Sequence, residues 1–432
     1  MVRTKDFDKR IVYDYVLMNA LTYVFVLTLV LSLAARLWLT TRQRHSVIEQ
    51  RQQVPSPFRD YISLEAHHKA ADYTVAGLTQ ERLELLLGAL LLLAWTLGGG
   101  LDWLDRYWAE KGLSPLNRGV CVILSLMFIT HVVELPLTIW RTFVLEQRFD
   151  FNHTTVGLFI SDQVREIFLT LLIATPLLFV ILWMMLNQSN WWLTVWLVWS
   201  GFSLFMLWAY PTLIAPLFNR FTLLDDPILK QRIDQLLQRT NFTSNGIFVM
   251  DSSRRSGHGN AYFTGLGHNK RIVFYDTLLK SLNHDEIEAV LAHELGHFHH
   301  GHVRMRLLTM VTLSLTALIL LAWLSKQTWF FHGLGVNSME PHLALILLVL
   351  CAPVFGFFLR PIFTGFTRRH EYQADDFAAN HADAGQLVNA LLKLYDENAT
   401  TLTPDPLYSA VHDSHPTALA RINNLHKHMS SA

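Results

Sequence analysis

Long apolar runs divide this 432-residue chain and restrict its fold more than any other feature. A helix needs about 20 apolar residues to cross a bilayer, and about seven runs approach that length. Hydrophobic residues make up 51% of the sequence and charged residues 16%, against roughly 25% charged residues in soluble domains. The sequence therefore predicts a mainly α-helical, polytopic membrane protein. The predicted spans are Val16–Leu39, Leu83–Leu101, Gly119–Trp140, Ile167–Leu186, Trp191–Tyr210, Leu307–Leu324 and His342–Leu359.

A metal-binding motif lies between the fifth and sixth of these spans. The residues His293 to His297 read H-E-L-G-H, the pattern H-E-x-x-H. Residues four apart on a helix lie on one face, so His293 and His297 can direct two imidazoles at one ion. The flanking sequence is helix-forming, with Asn283 or His284 as its start signal. Zn²⁺ prefers such imidazole ligands, and Glu294 can contact a water on the ion without ligating it. The motif therefore predicts a catalytic zinc site.

A catalytic zinc site needs a third protein ligand. His300 lies nearest to the same helical face, but it would only extend a linear row of ligands. Glu371 is the better candidate, because it comes from a separate segment of the chain. Asp375, four residues later, can accept a hydrogen bond from the free ring nitrogen of a ligand histidine. An alternative stays open, in which both carboxylates belong to a solvated helix face paired with Arg368 and Arg369.

Four segments organise the chain. Residues 1–210 are predicted to form an N-terminal membrane domain with five spans, and residues 307–359 add two more. Residues 211–306 hold the metal motif and residues 360–432 hold the third ligand, so we expect these two to fold together as one catalytic domain. Inside it the sequence indicates an amphipathic helix, two strands and a Gly-rich segment between them, at Ile228–Leu237, Gly246–Met250, Arg271–Asp276 and Ser256–Gly267 respectively.

The distribution of Lys and Arg predicts the orientation in the membrane. The segment after the first span is rich in basic residues, which places it in the cytoplasm. An odd number of spans then puts the catalytic domain and the C-terminus on the cytoplasmic side, although basic residues near the N-terminus oppose this. The formal net charge of zero offers no basic surface for nucleic acid. The basic residues after the first span are Arg42, Arg44, Arg51, Arg59, Lys69 and Arg82.

Several segments together resemble one known family. The chain is similar over nearly its whole length to the integral-membrane zinc metalloproteases of the CAAX prenyl protease 1 family. A smaller class of relatives, with about four spans, fits this length less well. Besides the metal motif, the segments that carry the resemblance are Leu145–Thr155, Tyr210–Asn219, Gly259–Gly265, Arg271–Leu279, Glu371–Asp375 and Ser414–Thr417.

The resemblance implies a gluzincin-like site in which His293, His297 and Glu371 bind one Zn²⁺. It implies that Glu294 is the general base that takes the proton of the attacking water. It also adds two catalytic residues from the C-terminal segment: His415 as a donor to the tetrahedral oxyanion, and Arg421 close to the site. From the residues alone, His415 is one of several histidines near the C-terminus.

The resemblance assigns substrate binding to the segment Gly259–Gly265, through Asn260, Ala261 and Tyr262. A segment flanked by strands can present backbone N–H and C=O groups to an extended peptide, which then adds to the sheet as a further strand. From the residues alone, an ordinary Gly-rich turn is the simpler interpretation.

A water-filled chamber inside the membrane, enclosed by the seven helices and capped by the zinc site, is also implied by the resemblance. Three polar residues within the spans, Asn19, His131 and Glu134, are costly in lipid and fit the lining of such a chamber. Hydrogen bonds between helices explain them equally well.

The implied activity is zinc-dependent hydrolysis of peptide bonds near the C-terminus of prenylated CAAX-type substrates. Two alternatives remain: a quality-control protease without prenyl specificity, and a non-proteolytic transporter or scaffold that retains a zinc site. The intact Glu294 argues against the second. The expected partners are a peptide or protein substrate and membrane lipids. The C-terminal residues Met429–Ala432 carry no endoplasmic-reticulum retrieval signal, which favours a bacterial inner membrane over the endoplasmic reticulum.

Overall fold

A bundle of long helices forms the membrane part of the computed structural model, which describes residues 2–264 and 270–431. Within these residues, six helical segments are long and apolar enough to cross a membrane. A seventh span results if α2 and α3, defined below, form one bent crossing. The helices of this part are α1 (Val2–Glu49), α2 (Leu64–Trp95), α3 (Gly100–Ala109), α4 (Pro115–Trp140), α5 (Val156–Asn187), α6 (Trp191–Ala209) and α7 (Ala215–Phe218).

The second predicted span is broken rather than continuous. Helices α2 and α3 meet at an angle of 51°. The break falls in the run Gly98-Gly99-Gly100, where Gly99 has a φ of +75°. This left-handed conformation costs glycine little and other residues more, so the chain turns at this point.

Residues 211–306 and 360–432 are the two polar blocks of the chain. A four-stranded mixed sheet lies in the first of them, with strand order β1-β2-β4-β3. Strands β2 and β4 are parallel, and the two outer strands are antiparallel to their neighbours. The two expected strands and the amphipathic helix are confirmed within two residues at each end. The elements are β1 (Phe221–Leu223), α8 (Pro227–Arg239), β2 (Ile247–Met250), β3 (Ala261–Thr264), β4 (Arg271–Tyr275), α9 (Asp276–Ser281) and α10 (His284–His299).

The Gly-rich segment contains a strand, whereas an ordinary turn was the simpler interpretation of the residues alone. Strand β3 pairs with β4 so that Ala261 lies opposite Phe274. It is the last strand in the order of the sheet, so its outer edge faces away from β4. Gly265 and Gly267, which belong to the predicted segment, lie outside the described residues.

Two further spans and a helical C-terminal block complete the chain. The sixth and seventh predicted spans correspond to α11 and α13, so the expected mainly helical membrane fold with a small sheet is confirmed. The helices are α11 (His302–Leu324), α12 (Thr328–Gly333), α13 (Pro341–Gly356), α14 (Arg360–His381), α15 (Ala384–Glu397), α16 (Pro406–His412) and α17 (Ala418–Ser431).

One hydrophobic core joins the two polar blocks. Leu295 of α10, Phe377 of α14 and Leu425 of α17 belong to the same buried cluster. Phe58, from the segment between α1 and α2, is fully buried in it. Part of the predicted N-terminal membrane domain therefore packs into this shared core, a contribution that the sequence did not reveal. The exact boundaries of the four segments stay predictions.

Candidate metal centre

Helix α10 begins with a capping box that fixes the register of the metal motif. Asn283 Oδ1 accepts a hydrogen bond from the Glu286 backbone N–H at 2.9 Å, and Glu286 Oε2 accepts one from the Asn283 N–H at 2.8 Å. These reciprocal bonds satisfy two backbone donors that the first turn leaves unpaired. Of the two start signals considered, Asn283 is therefore the N-cap.

The close approach of α14 to α10 depends on Gly296, inside the motif. A Cβ atom built on Gly296 would lie 2.8 Å from the Cα of Ala374. Ala374 is itself fully buried. Two small residues therefore let the helix backbones touch, which brings Glu371, three residues before Ala374, over the two motif histidines.

Three side chains converge with a spacing that suits one ion. The ligand atoms of His293, His297 and Glu371 lie within 4.8 Å of one another. The Nε2 atom of His293 is 3.5 Å from Glu371 Oε2, and that of His297 is 3.4 Å from Glu371 Oε1. Metal bonds of about 2.0–2.1 Å in a tetrahedral site separate ligand atoms by about 3.3–3.4 Å. The donor set and its spacing therefore fit zinc.

The structure does not support the solvated helix face considered for Glu371. Glu371 is only 3% exposed and accepts a hydrogen bond from His415 at 2.7 Å. Arg368 instead donates to backbone carbonyls of residues 409, 410 and 413. His300 is the C-cap of α10 and stacks on His302. Within the described residues, it is not part of the three-ligand group.

Asp375 orients the ring of His293 from the side opposite to Glu371. Nδ1 of His293 lies 2.8 Å from Asp375 Oδ1, and Asp375 is fully buried. Arg421 donates two hydrogen bonds to the same carboxylate, at 2.6 and 2.9 Å. Because Nε2 of His293 faces Glu371, its proton belongs on Nδ1, where it is donated to Asp375. Burial alone would lower the pKa of His293, but its hydrogen bonds to Asp375 and Glu371 raise the pKa to about 9.

The predicted catalytic residues occupy three different positions around the ligands. Glu294 is half-buried on α10, and no group in the described parts of the chain donates a hydrogen bond to its carboxylate. His415 lies before α17, beside Glu371, with 60% of its side chain exposed. Arg421 is only 6% exposed and holds Asp375. Its contacts place it behind His293, and its catalytic role stays a prediction.

The predicted substrate-binding segment lies beside the motif helix. The ring of Phe263, in β3, packs edge-on against Phe298 with centroids 5.3 Å apart. Phe298 directly follows the ligand His297. Asn260 is exposed at the start of β3, and its side-chain oxygen accepts a hydrogen bond from the Ala261 N–H. Tyr262 packs against Tyr275 of β4, and burial raises the pKa of its phenol to about 12.

The polar residues of the spans lie in different surroundings. His131 and Glu166 line one cavity, of about 650 Å³. Glu134 lines a second cavity, of about 370 Å³, together with Arg36 and Glu81. Asn19 is half-buried on α1. The single enclosed chamber stays a prediction.

Comparison with known proteins adds independent information on the whole chain. A family model described as CAAX prenyl protease N-terminal, five membrane helices, matches residues 43–220, and the model of Peptidase family M48 matches residues 224–429. The CAAX prenyl protease 1 homolog of Arabidopsis thaliana is 35% identical over 72% of this chain and 74% of its own. CAAX prenyl protease 1 of Saccharomyces cerevisiae is 33% identical over 72% and 73%. The crystal structure of S. mikatae Ste24p matches with a TM-score of 0.85 and 29% identity, over 94% of this chain and 98% of that chain.

Proposed function

This chain belongs to Peptidase family M48, with the CAAX prenyl proteases, and is a multi-pass membrane metalloendopeptidase; we propose that its metal is zinc and that it cleaves near the C-terminus of prenylated CAAX-type proteins. The observation that carries the proposal is the meeting of His293, His297 and Glu371 at the spacing of one tetrahedral ion. Glu294, adjacent to the first ligand and without a hydrogen-bond donor among the described residues, supplies the base that a hydrolase needs.

Each residue of the site has a defined task in peptide hydrolysis. Zinc, when bound, lowers the pKa of a water molecule and polarises a carbonyl group. Glu294 accepts the proton of the attacking water and later delivers it to the leaving amine. His415, beside Glu371, donates a hydrogen bond to the oxyanion that forms on the substrate. Asp375 and Arg421 keep His293 in the tautomer that leaves Nε2 free.

The outer edge of β3 is the proposed place for the substrate backbone. A peptide in extended conformation adds to such an edge through main-chain hydrogen bonds, and Asn260, Ala261 and Tyr262 lie along it. The packing of Phe263 on Phe298 keeps this edge next to the motif helix. The scissile bond can therefore reach the ligands while the flanking residues are held by the strand.

The cytoplasmic side is proposed for the catalytic domain, because the basic segment after α1 is attached to it. Phe58, within that segment, is buried in the same core as Leu295 of the motif helix. The positive residues that favour the cytoplasm and the metal ligands therefore lie on one side of the membrane. The bacterial inner membrane stays the favoured host membrane, with the endoplasmic reticulum as the alternative, and the predicted chamber is the proposed route of the substrate to the site.

The test is cleavage of a farnesylated C-terminal CAAX peptide by the purified full-length protein. We expect cleavage by the wild type, and none after zinc chelation. The matched control is the same peptide without the farnesyl group, which we expect to be cleaved poorly. Equal cleavage of both peptides would instead support a quality-control protease. No cleavage of either peptide by protein with stoichiometric zinc would contradict the proposal.

Replacing His415 with Ala should lower kcat about 10²–10³-fold with little change in KM, because an oxyanion donor acts mainly in the transition state. Zinc content, measured in parallel, should stay near one ion per chain, since the three ligands remain. His426→Ala is the control, because His426 is an exposed histidine of the same C-terminal region. An unchanged kcat in the His415 variant would remove the proposed role.

A further inference from the structure

His297, the second histidine ligand, is supported by a chain of hydrogen bonds of its own. Its Nε2 atom faces Glu371, so its Nδ1 atom points away from the metal position. That Nδ1 lies 3.0 Å from Nδ1 of His302, and Nε2 of His302 lies 2.9 Å from Oε1 of Gln373. The three side chains join the end of α10 to the start of α11 and to α14.

The protons in this chain have only one consistent arrangement. A histidine that ligates through Nε2 carries its proton on Nδ1, so His297 must donate to His302. Nδ1 of His302 therefore has to be unprotonated, and its proton lies on Nε2. Gln373 then has to present its amide oxygen, which accepts a hydrogen bond from that N–H. With its NH₂ group turned inward instead, Gln373 would force His302 to hold its proton on Nδ1, facing the proton of His297.

The chain turn and the neighbouring rings hold His302 in this position. Gly301, with a φ of +70°, ends α10 and lets α11 start in a new direction. His302 is only 5% exposed. Its ring stacks on His370 with centroids 4.0 Å apart and an angle of 13° between the ring planes. The orientation of the imidazole is therefore set by packing as well as by Gln373.

We propose that His302, fixed by Gln373, is the positioning residue of His297 and sets the affinity of the site for its metal. The inference rests on the proposed zinc site. The two histidine ligands are then supported in different ways: His293 by a buried carboxylate that Arg421 neutralises, and His297 by a neutral imidazole. Neither support adds net charge, so Glu371 is the one ligand that offsets the charge of the ion, and the metal stays strongly electrophilic.

The experiment measures the zinc dissociation constant of the full-length protein in detergent, by competition with a chromophoric chelator. Loss of such an outer partner costs metal sites roughly 10–100-fold in affinity, and we expect that loss in His302→Leu. His302→Asn should recover most of the affinity, because the Asn side-chain oxygen can accept a hydrogen bond from the His297 N–H. Gln373→Leu, an exposed position that folding tolerates well, should weaken zinc binding by a smaller factor.

A second readout separates orientation of the ligand from packing. In the Co²⁺-substituted protein, the visible absorption bands should shift in His302→Leu and return towards the wild-type spectrum in His302→Asn. The matched control is His299→Asn, an exposed histidine at the end of α10 whose ring packs on Phe377, and it should match the wild type in both measurements.

Three results would overturn the inference. Zinc affinity in His302→Leu equal to that of a tightly binding wild type would overturn the positioning role alone. Equal losses of affinity in His302→Leu and His302→Asn would also overturn it, because they would mean that only packing matters. A wild-type protein that binds no zinc would overturn both this inference and the proposed function.

Discussion

Replacing Glu294 with Gln should abolish peptide hydrolysis and leave the metal in place. Gln has nearly the same shape as Glu but cannot take the proton of the attacking water, and general acid–base catalysis contributes about 10²–10⁴-fold to rates. In the described parts of the chain the Glu294 carboxylate has no hydrogen-bond donor, so it is free for that task. We expect kcat for the farnesylated peptide to fall by at least that range. Zinc content, measured by elemental analysis, should stay at one ion per chain.

The matched control for this change is Glu288→Gln, on the same helix. Glu288 forms ion pairs with Arg239 and Arg232 of α8 and is not part of the three-ligand group. Its kcat and zinc content should equal those of the wild type. A Glu294→Gln protein that retains a kcat within tenfold of the wild type would exclude Glu294 as the base. A variant that loses zinc would instead make Glu294 a ligand.

The membrane-spanning helices were predictable because lipid permits few backbone conformations. A span must satisfy its backbone polar groups internally and must be about 20 residues long, so apolar runs translate directly into helices. The break between α2 and α3 depends instead on the conformation of Gly99, a single residue whose φ is positive. A run of three glycines indicates that a break is possible but does not show that it occurs.

The candidate ligands were partly predictable, for a reason of helical geometry. Four-residue spacing places His293 and His297 on one face. The candidate third ligand, Glu371, lies 74 positions beyond His297. Its place beside the motif histidines needs contact between α10 and α14, which two small residues permit. Within one continuous helix, five positions would turn His302 about 140° away from His297, so the spacing alone predicts no contact between these two rings. The turn at Gly301 removes that rotation and brings the two rings together.

The catalytic core also uses a residue that no local pattern marks. Phe58 lies in a short segment between two spans and is fully buried against the core of the polar blocks. The cluster also contains its sequence neighbours Val54 and Ile62, but the other buried members lie more than 170 residues away, beginning with Leu229. Contacts of this kind depend on how the elements assemble, and hydrophobic periodicity within one segment carries no information about them.

Replacing Glu371 with Ala should remove the metal from the protein. The change deletes one of three protein ligands and the one charge that offsets the ion, so the loss of zinc affinity should exceed the roughly 100-fold upper range for residues that only support a ligand. Glu371→Gln, which keeps the size of the side chain, should also lose zinc, and this isosteric variant separates ligation from packing. Zinc content after dialysis and the dissociation constant measure the effect, and kcat should fall in proportion to the metal lost.

The control for Glu371 is Asp376→Asn, five positions further along α14. Asp376 accepts hydrogen bonds from Asn424 and His428 of α17 and is not part of the three-ligand group. It should keep full zinc occupancy, which would show that the loss follows the position of the carboxylate and not the charge of the helix. Full occupancy in Glu371→Ala would contradict the assignment of the third ligand. The same measurement on His300→Ala would then decide whether the end of α10 supplies that ligand, because His300 is the one candidate that shares a helical face with the motif.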